Sequence, residues 1–144
     1  MLDKAIRTAA RKANERKWEK IYVAVDWHDV ICPSNYDEAG AFNLFQEAIP
    51  ALQDASANKA ICLILFSSSY KEIADEFIKY CKDEYGIIFE YFNCNPEVSN
   101  TDYGDFTSKF YYDVILEDKA GFDPEEDWNI FAKMIEIYFG DCYE

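Results

Sequence analysis

Two stretches of this chain, Ile21-Tyr-Val-Ala-Val25 and Ala60-Ile-Cys-Leu-Ile-Leu-Phe66, are apolar without interruption and stop abruptly on Asp26 and on Ser67-Ser68-Ser69. A strand with one wet face alternates apolar and polar residues; a strand covered on both faces does not, and such strands belong to parallel sheets. Neither run approaches the ~18 residues that a membrane span needs. The chain is therefore expected to build a buried, mostly parallel sheet.

The segments between these runs carry helical spacing. Leu2, Ile6, Ala9 and Ala13 mark a thin stripe on a helix over 2–19, expected to pack lightly on the rest. Phe42, Phe45, Ile49 and Leu52 mark a helix over 41–55; Ile73, Phe77, Ile78 and Cys81 mark one over 70–84, which Gly86 ends. A third strand is expected over 87–92, a polar and aromatic loop over 93–108, and a fourth strand over 111–116. A last helix over 125–139 would turn Trp128, Phe131, Ile135 and Tyr138 inward. Alternating strands and helices with right-handed crossovers predict an α/β fold, a three-layer doubly wound (Rossmann-like) domain.

With 144 residues, one core is the natural outcome. Charge divides the chain unevenly. Residues 1–20 hold seven basic and three acidic side chains, a net +4, and residues 21–144 hold seven basic and twenty-five acidic ones, a net −18. The expected organisation is a basic helix over 1–20 and a single domain over 21–144. An acidic body repels nucleic acid and anionic membranes except at a local basic patch or a metal. The +4 helix either docks on the acidic body or steers a polynucleotide end. Five cysteines without a CxxC pair, and a charged rather than apolar start, suggest a reducing, cytoplasmic setting.

Ligands of parallel sheets bind at the carboxyl ends of the strands, and the informative polar residues fall there. Asp26, His28 and Asp29 follow the first strand, Ser67 the second, and Glu117 and Asp118 the fourth, with Lys109 just before it. Carboxylates converging on one crevice repel each other unless a cation sits among them. Oxygen ligands without a His or Cys cluster suit Mg²⁺. A lysine and a hydroxyl beside it make a receptacle for phosphate.

In this order the pieces VAVDWHDVI, ICLILFS and SKFYYDVILEDKAGF resemble the four motifs of the haloacid dehalogenase-like (HAD) phosphatase superfamily, over about residues 21–123. The resemblance implies a HAD-like fold and an aspartyl-phosphate mechanism. Asp26 would be the nucleophile and a Mg²⁺ ligand, and the His28 backbone carbonyl a second ligand. Ser67 would bind the phosphoryl group and Lys109 would neutralise its charge. Asp118 would bind Mg²⁺ with Glu117 beside it. Lys119 is the rival to Lys109. Segments where relatives insert a cap domain are short here, which implies an open site serving a phosphorylated substrate, with Trp27, Tyr36, Tyr103 and Phe106 around the opening.

His28 stands where the family has its acid/base aspartate. A histidine can do both proton jobs, so the replacement leaves three consequences open: a shifted pH dependence, slower turnover, or a non-catalytic descendant that binds phosphate or metal. An acidic interaction protein is the remaining class. Of the neighbouring residues, Asp29 is expected to bond loop backbone, Ser68 and Ser69 to cap the next helix, and Asp123 to open the Pro124 turn.

Overall fold

The computed structural model describes residues 1–34 and 42–140. Four strands, β1 (Ile21–Asp26), β2 (Ile61–Phe66), β3 (Tyr91–Phe92) and β4 (Val114–Leu116), form one all-parallel sheet in the order β3-β2-β1-β4. The helices are α1 (Leu2–Arg16), α2 (Ala48–Ala57), α3 (Lys71–Tyr85) and α4 (Asp127–Phe139). Parallel β1 and β2 align Ile21 with Ile61 through Asp26 with Phe66, so both apolar runs end at the same edge. None of the described helices is long and apolar enough to cross a membrane.

The sheet's two faces are covered differently. Ile21, Val23 and Val25, with Ile61, Leu63, Leu65, Val114 and Leu116, join the buried residues of all four helices in one hydrophobic cluster. The other face carries Tyr22, Ala24, Cys62 and Ile64, and the connection between β3 and β4 lies against it. There Tyr22 Oη donates to Glu97 (3.2 Å), and Phe110 packs on Phe66 (ring centroids 6.1 Å). The expected third layer is thus an irregular segment, helix-free in residues 93–113. Cys62, Cys32 and Cys81 are buried thiols, and burial pushes each up to about 12.

Several element boundaries move for identifiable reasons. The second helix begins at Ala48 rather than 41, which places Pro50 in the first turn, where a missing N–H costs nothing. In a helix begun at 41, the same ring would clash with an interior carbonyl. Strand β4 is only three residues long because the Tyr22 N–H donates to the Asp113 carboxylate (2.8 Å) instead of a backbone acceptor. Strand β3 pairs only at Tyr91 and Phe92, although Ile87 and Phe89 are buried before it.

The helix faces are also rotated slightly from expectation. In α3 the inward residues are Ala74, Phe77 and Cys81, while Ile73 is 47% exposed. In α4, Trp128, Phe131 and Ile135 are buried as the spacing predicts, but Phe139 rather than Tyr138 completes the stripe. Trp128 Nε1 donates to the Val30 carbonyl (2.7 Å), which fixes α4 against the turn after β1. In α1 the stripe is thin, yet Ile6, Ala9 and Ala13 all enter the common core.

Helices α1 and α3 end alike, with a left-handed residue whose N–H returns to the last turn. At α3 this is Gly86 (φ 70°); at α1 it is Lys17 (φ 57°). A side chain in that conformation costs about 1 kcal/mol, which glycine avoids. Lys17→Gly should therefore stabilise the protein by about 0.5–1 kcal/mol, read as a rise of about 2–4 °C in Tm.

Candidate active site at the carboxyl ends of the sheet

From β1 the chain moves to β2 and β3 on one side, then crosses back to β4 on the other side of β1. The carboxyl ends of β1 and β4 therefore flank the point where strand order reverses, the place where parallel sheets open a crevice. A cavity of about 330 Å³ lies at these strand ends, lined by Asp26, His28, Ser67, Glu117, Asp118 and Lys119 among others. Carboxylate oxygens of Asp26, Glu117 and Asp118 lie within 4.8 Å of one another.

Each side chain is held by local structure. Asp26 is the last residue of β1, and its Oδ1 accepts from the Trp27 N–H (2.9 Å). Burial, a hydrogen-bonding contact with Asp118, and the negative charge of Asp118 and Glu117 push the Asp26 carboxyl up to about 7. The Trp27 N–H works against that rise. Glu117 follows β4 directly, and Asp118 opens a single 3-10 turn (Asp118–Ala120) that also carries Lys119.

Ser67, buried at the end of β2, is clamped by Asn93 just past β3. Asn93 Oδ1 accepts from the Ser67 N–H (2.9 Å), and Asn93 Nδ2 donates to the Ser67 carbonyl (2.6 Å). The amide side chain continues the parallel ladder beyond the last residue of β3, and Asn93 adopts a φ of 53° to do so. Ser67 Oγ meets Ser69 Oγ at 2.9 Å and accepts from the Ser69 N–H at 3.1 Å. Ser69 Oγ in turn lies 3.5 Å from His28 Nε2. Ser69 therefore belongs to this polar chain and does not cap α3, whose N-cap is Tyr70 without a side-chain bond.

The His28 ring stacks on Trp27 (centroids 4.8 Å, 12° between planes), and Trp27 stacks in turn on Phe77 (4.3 Å). Burial lowers the His28 pKa below its ordinary value, and the Asp29 carboxylate partly restores it. Asp29 itself accepts from the N–H (3.0 Å) and the hydroxyl (2.7 Å) of Ser34, with φ at 62°. That is the loop-bonding role its sequence position suggests. Asp123 likewise accepts from the Glu125 N–H (2.9 Å) at the Pro124 turn.

Five of the six side chains picked from sequence meet in one cavity. Lys109 does not. Its Nζ lies over the Tyr112 ring (5.7 Å), and it lines a separate cavity of about 240 Å³. Lys119 lines the main cavity in its place. Trp27 is buried in the core rather than at an opening, Tyr103 is fully exposed, and Phe106 lines a groove elsewhere. Tyr36 lies outside the described residues. Asn93 and Ser69 carried no motif signal; only their places beside strand ends distinguished them.

Searches of protein-family models, curated protein sequences and solved structures return no match to this chain. The functional reading therefore rests on the cavity itself.

Proposed function

We propose that this protein is a Mg²⁺-dependent phosphomonoester hydrolase of HAD-like type that works through an aspartyl-phosphate on Asp26. The single observation that carries the reading is the gathering of Asp26, Glu117 and Asp118 around one point, with the Ser67 hydroxyl, His28 and Lys119 in the same cavity. Three hard carboxylate donors fit a hard divalent cation. The upward push on Asp26 is in keeping with it: burial contributes most, and the neighbouring Asp118 and Glu117 add to it in the absence of a countercharge. Asp26, Glu117 and Asp118 would hold the cation, with the His28 carbonyl as the further ligand that the HAD resemblance implies. When bound, it would neutralise charge on the carboxylates and on the phosphoryl oxygens.

In the first step an Asp26 carboxylate oxygen attacks phosphorus, forming an O–P bond as the ester P–O bond breaks. The His28 imidazolium gives its proton to the departing alkoxide. In the second step His28 takes a proton from water, whose oxygen attacks phosphorus and releases Asp26 and inorganic phosphate. Ser67 and Lys119 donate hydrogen bonds to the phosphoryl oxygens. Such transfers depend mainly on positioning and charge neutralisation.

The lowered His28 pKa favours a second reading, a phosphate- or metal-binding relative with little turnover, since it leaves less imidazolium to act as acid. Phosphate release from a panel of phosphomonoesters, sugar phosphates, nucleotides and phosphorylated oligonucleotides, at pH 5–8 with Mg²⁺ or EDTA, separates the two. The hydrolase requires release that needs Mg²⁺ and disappears in Asp26→Asn. Stabilisation by Mg²⁺ with no release across the panel leaves the binding role.

A further inference from the structure

A cavity of about 820 Å³, more than twice the volume of the carboxylate site, lies beyond the end of α1, where Arg16, Lys17, Trp18, Glu19 and Lys20 face Tyr22, Phe106 and Tyr111. A second cavity of about 710 Å³ shares Arg16, Trp18, Tyr111 and Asp113 with it and runs back along α1. Its α1 wall includes Lys4, Thr8, Lys12 and Arg16, spaced four apart and therefore on one helix face. Together they form one groove with a basic wall and an aromatic wall.

The aromatic wall is ordered. Trp18 and Tyr111 pack edge to face (centroids 6.5 Å), Phe106 packs on Tyr111 (5.5 Å), and the Arg16 guanidinium sits 5.2 Å over the Trp18 ring. Trp18 remains 36% exposed. Its backbone N–H closes the α1 cap on the Ala13 carbonyl, a role that any residue could fill. The indole is thus surplus to the cap.

Basic side chains outnumber acidic ones in the groove, Lys4, Lys12, Arg16, Lys17 and Lys20 against Glu19, Glu97 and Asp113. Glu97 is engaged by Lys20 (2.8 Å), Tyr22 and Tyr91 (2.6 Å), and Asp113 by the Tyr111 hydroxyl (2.6 Å) and the Tyr22 N–H. Among the described residues, no hydrogen bond or ion pair holds Lys4, Lys12 or Arg16. Cations in a row without ion pairs, beside an indole about a third exposed, are the two components that bind a phosphodiester backbone and its bases. A duplex hides its base faces and offers nothing for Trp18 to stack on. An anionic membrane would use the lysines but not an ordered aromatic wall set inside a groove.

We propose that this groove binds single-stranded nucleic acid, with Lys4, Lys12 and Arg16 along the backbone and Trp18 stacked on a base. The surface is separate from the Asp26 cavity, and its function stands whether or not that cavity hydrolyses phosphoesters.

Fluorescence anisotropy of a labelled 12-nucleotide single strand with hydroxyl ends, in EDTA at 20–200 mM KCl, tests it without involving the carboxylate site. Saturable binding is expected at 20 mM KCl. The double variant Lys12→Ala/Arg16→Ala should weaken it at least tenfold and reduce the slope of log affinity against log salt by about 1.4. Trp18→Leu should weaken it at least about fivefold, and Trp18→Phe should recover most of that loss. Unchanged Tm values verify that each variant is folded. Absence of saturable binding, affinity indifferent to Trp18→Leu, or a duplex of equal length bound as tightly as the single strand would overturn the proposal.

Discussion

Asp26→Asn should make the metal-free protein more stable at pH 8, while removing the phosphatase activity proposed for it. The sign follows from the carboxyl's position. Its folded pKa of about 7 lies above the 3.8 of a free aspartate. The folded protein therefore holds this proton more tightly than the unfolded chain does. Stability from this group is complete below pH 4, falls as pH rises from about 4 to 7, and is lost above 7. At pH 8 the folded protein carries an ionised Asp26 beside Glu117 and Asp118.

A rise of three units corresponds to about 4 kcal/mol at 1.36 kcal/mol per unit. Asp26 is only half-buried, and solvent screening reduces this to about 1–2 kcal/mol. Asparagine keeps the shape and the carbonyl acceptor for the Trp27 N–H, and loses the charge. In EDTA at pH 8 its Tm should exceed that of the wild type by about 4–8 °C, and the difference should shrink towards pH 4. Mg²⁺ should raise the wild-type Tm and move that of Asp26→Asn much less. Thermal melts at pH 4, 6 and 8, with and without Mg²⁺, read all of this. A variant less stable than the wild type at pH 8 in EDTA would mean that an ionised Asp26 is not penalised at this site, and the cation proposal would lose that support.

That much of the site could be found from sequence has a physical basis. An uninterrupted run such as 60–66 has no amphipathic alternative, so both the strand and its environment follow from composition. Once the strands are known, the polar residues that end them share one edge, and Asp26, Ser67, Glu117 and Asp118 follow together. What failed depended on single backbone events. One proline decides where α2 starts. One carboxylate, Asp113, replaces a ladder acceptor and shortens β4. The irregular form of the third layer was hidden for a broader reason: segment 93–113 has the composition of a connection, and nothing in composition says that it will cover a sheet face. Asn93 illustrates the remaining gap, because its use as a ladder extension depends on a left-handed backbone at one position.

The lysine is where motif order and geometry part, and it sets the second large effect. Lys119 follows Asp118 in the same 3-10 turn, so the backbone that places the carboxylate also puts Lys119 in the wall of the cavity. Lys109 lies on the sheet-covering segment, whose next residue, Phe110, packs on Phe66, and its Nζ is turned to the Tyr112 ring. A cation that stabilises the transferring phosphoryl group must sit in the cavity where charge develops, and loss of one such donor typically costs about 10²–10³ in rate. Lys119→Ala should accordingly lower kcat about a hundredfold or more, with Lys119→Arg recovering part of it. Lys109→Ala should change kcat less than about threefold, since its ammonium lies over the Tyr112 ring and outside the carboxylate cavity. Melting temperatures of both variants should stay near the wild type, because neither ammonium makes an ion pair among the described residues. If Lys109→Ala abolishes turnover and Lys119→Ala does not, segment 93–113 must rearrange when substrate binds, turning Lys109 from Tyr112 towards Ser67. That result would make the irregular layer a working part of the active site.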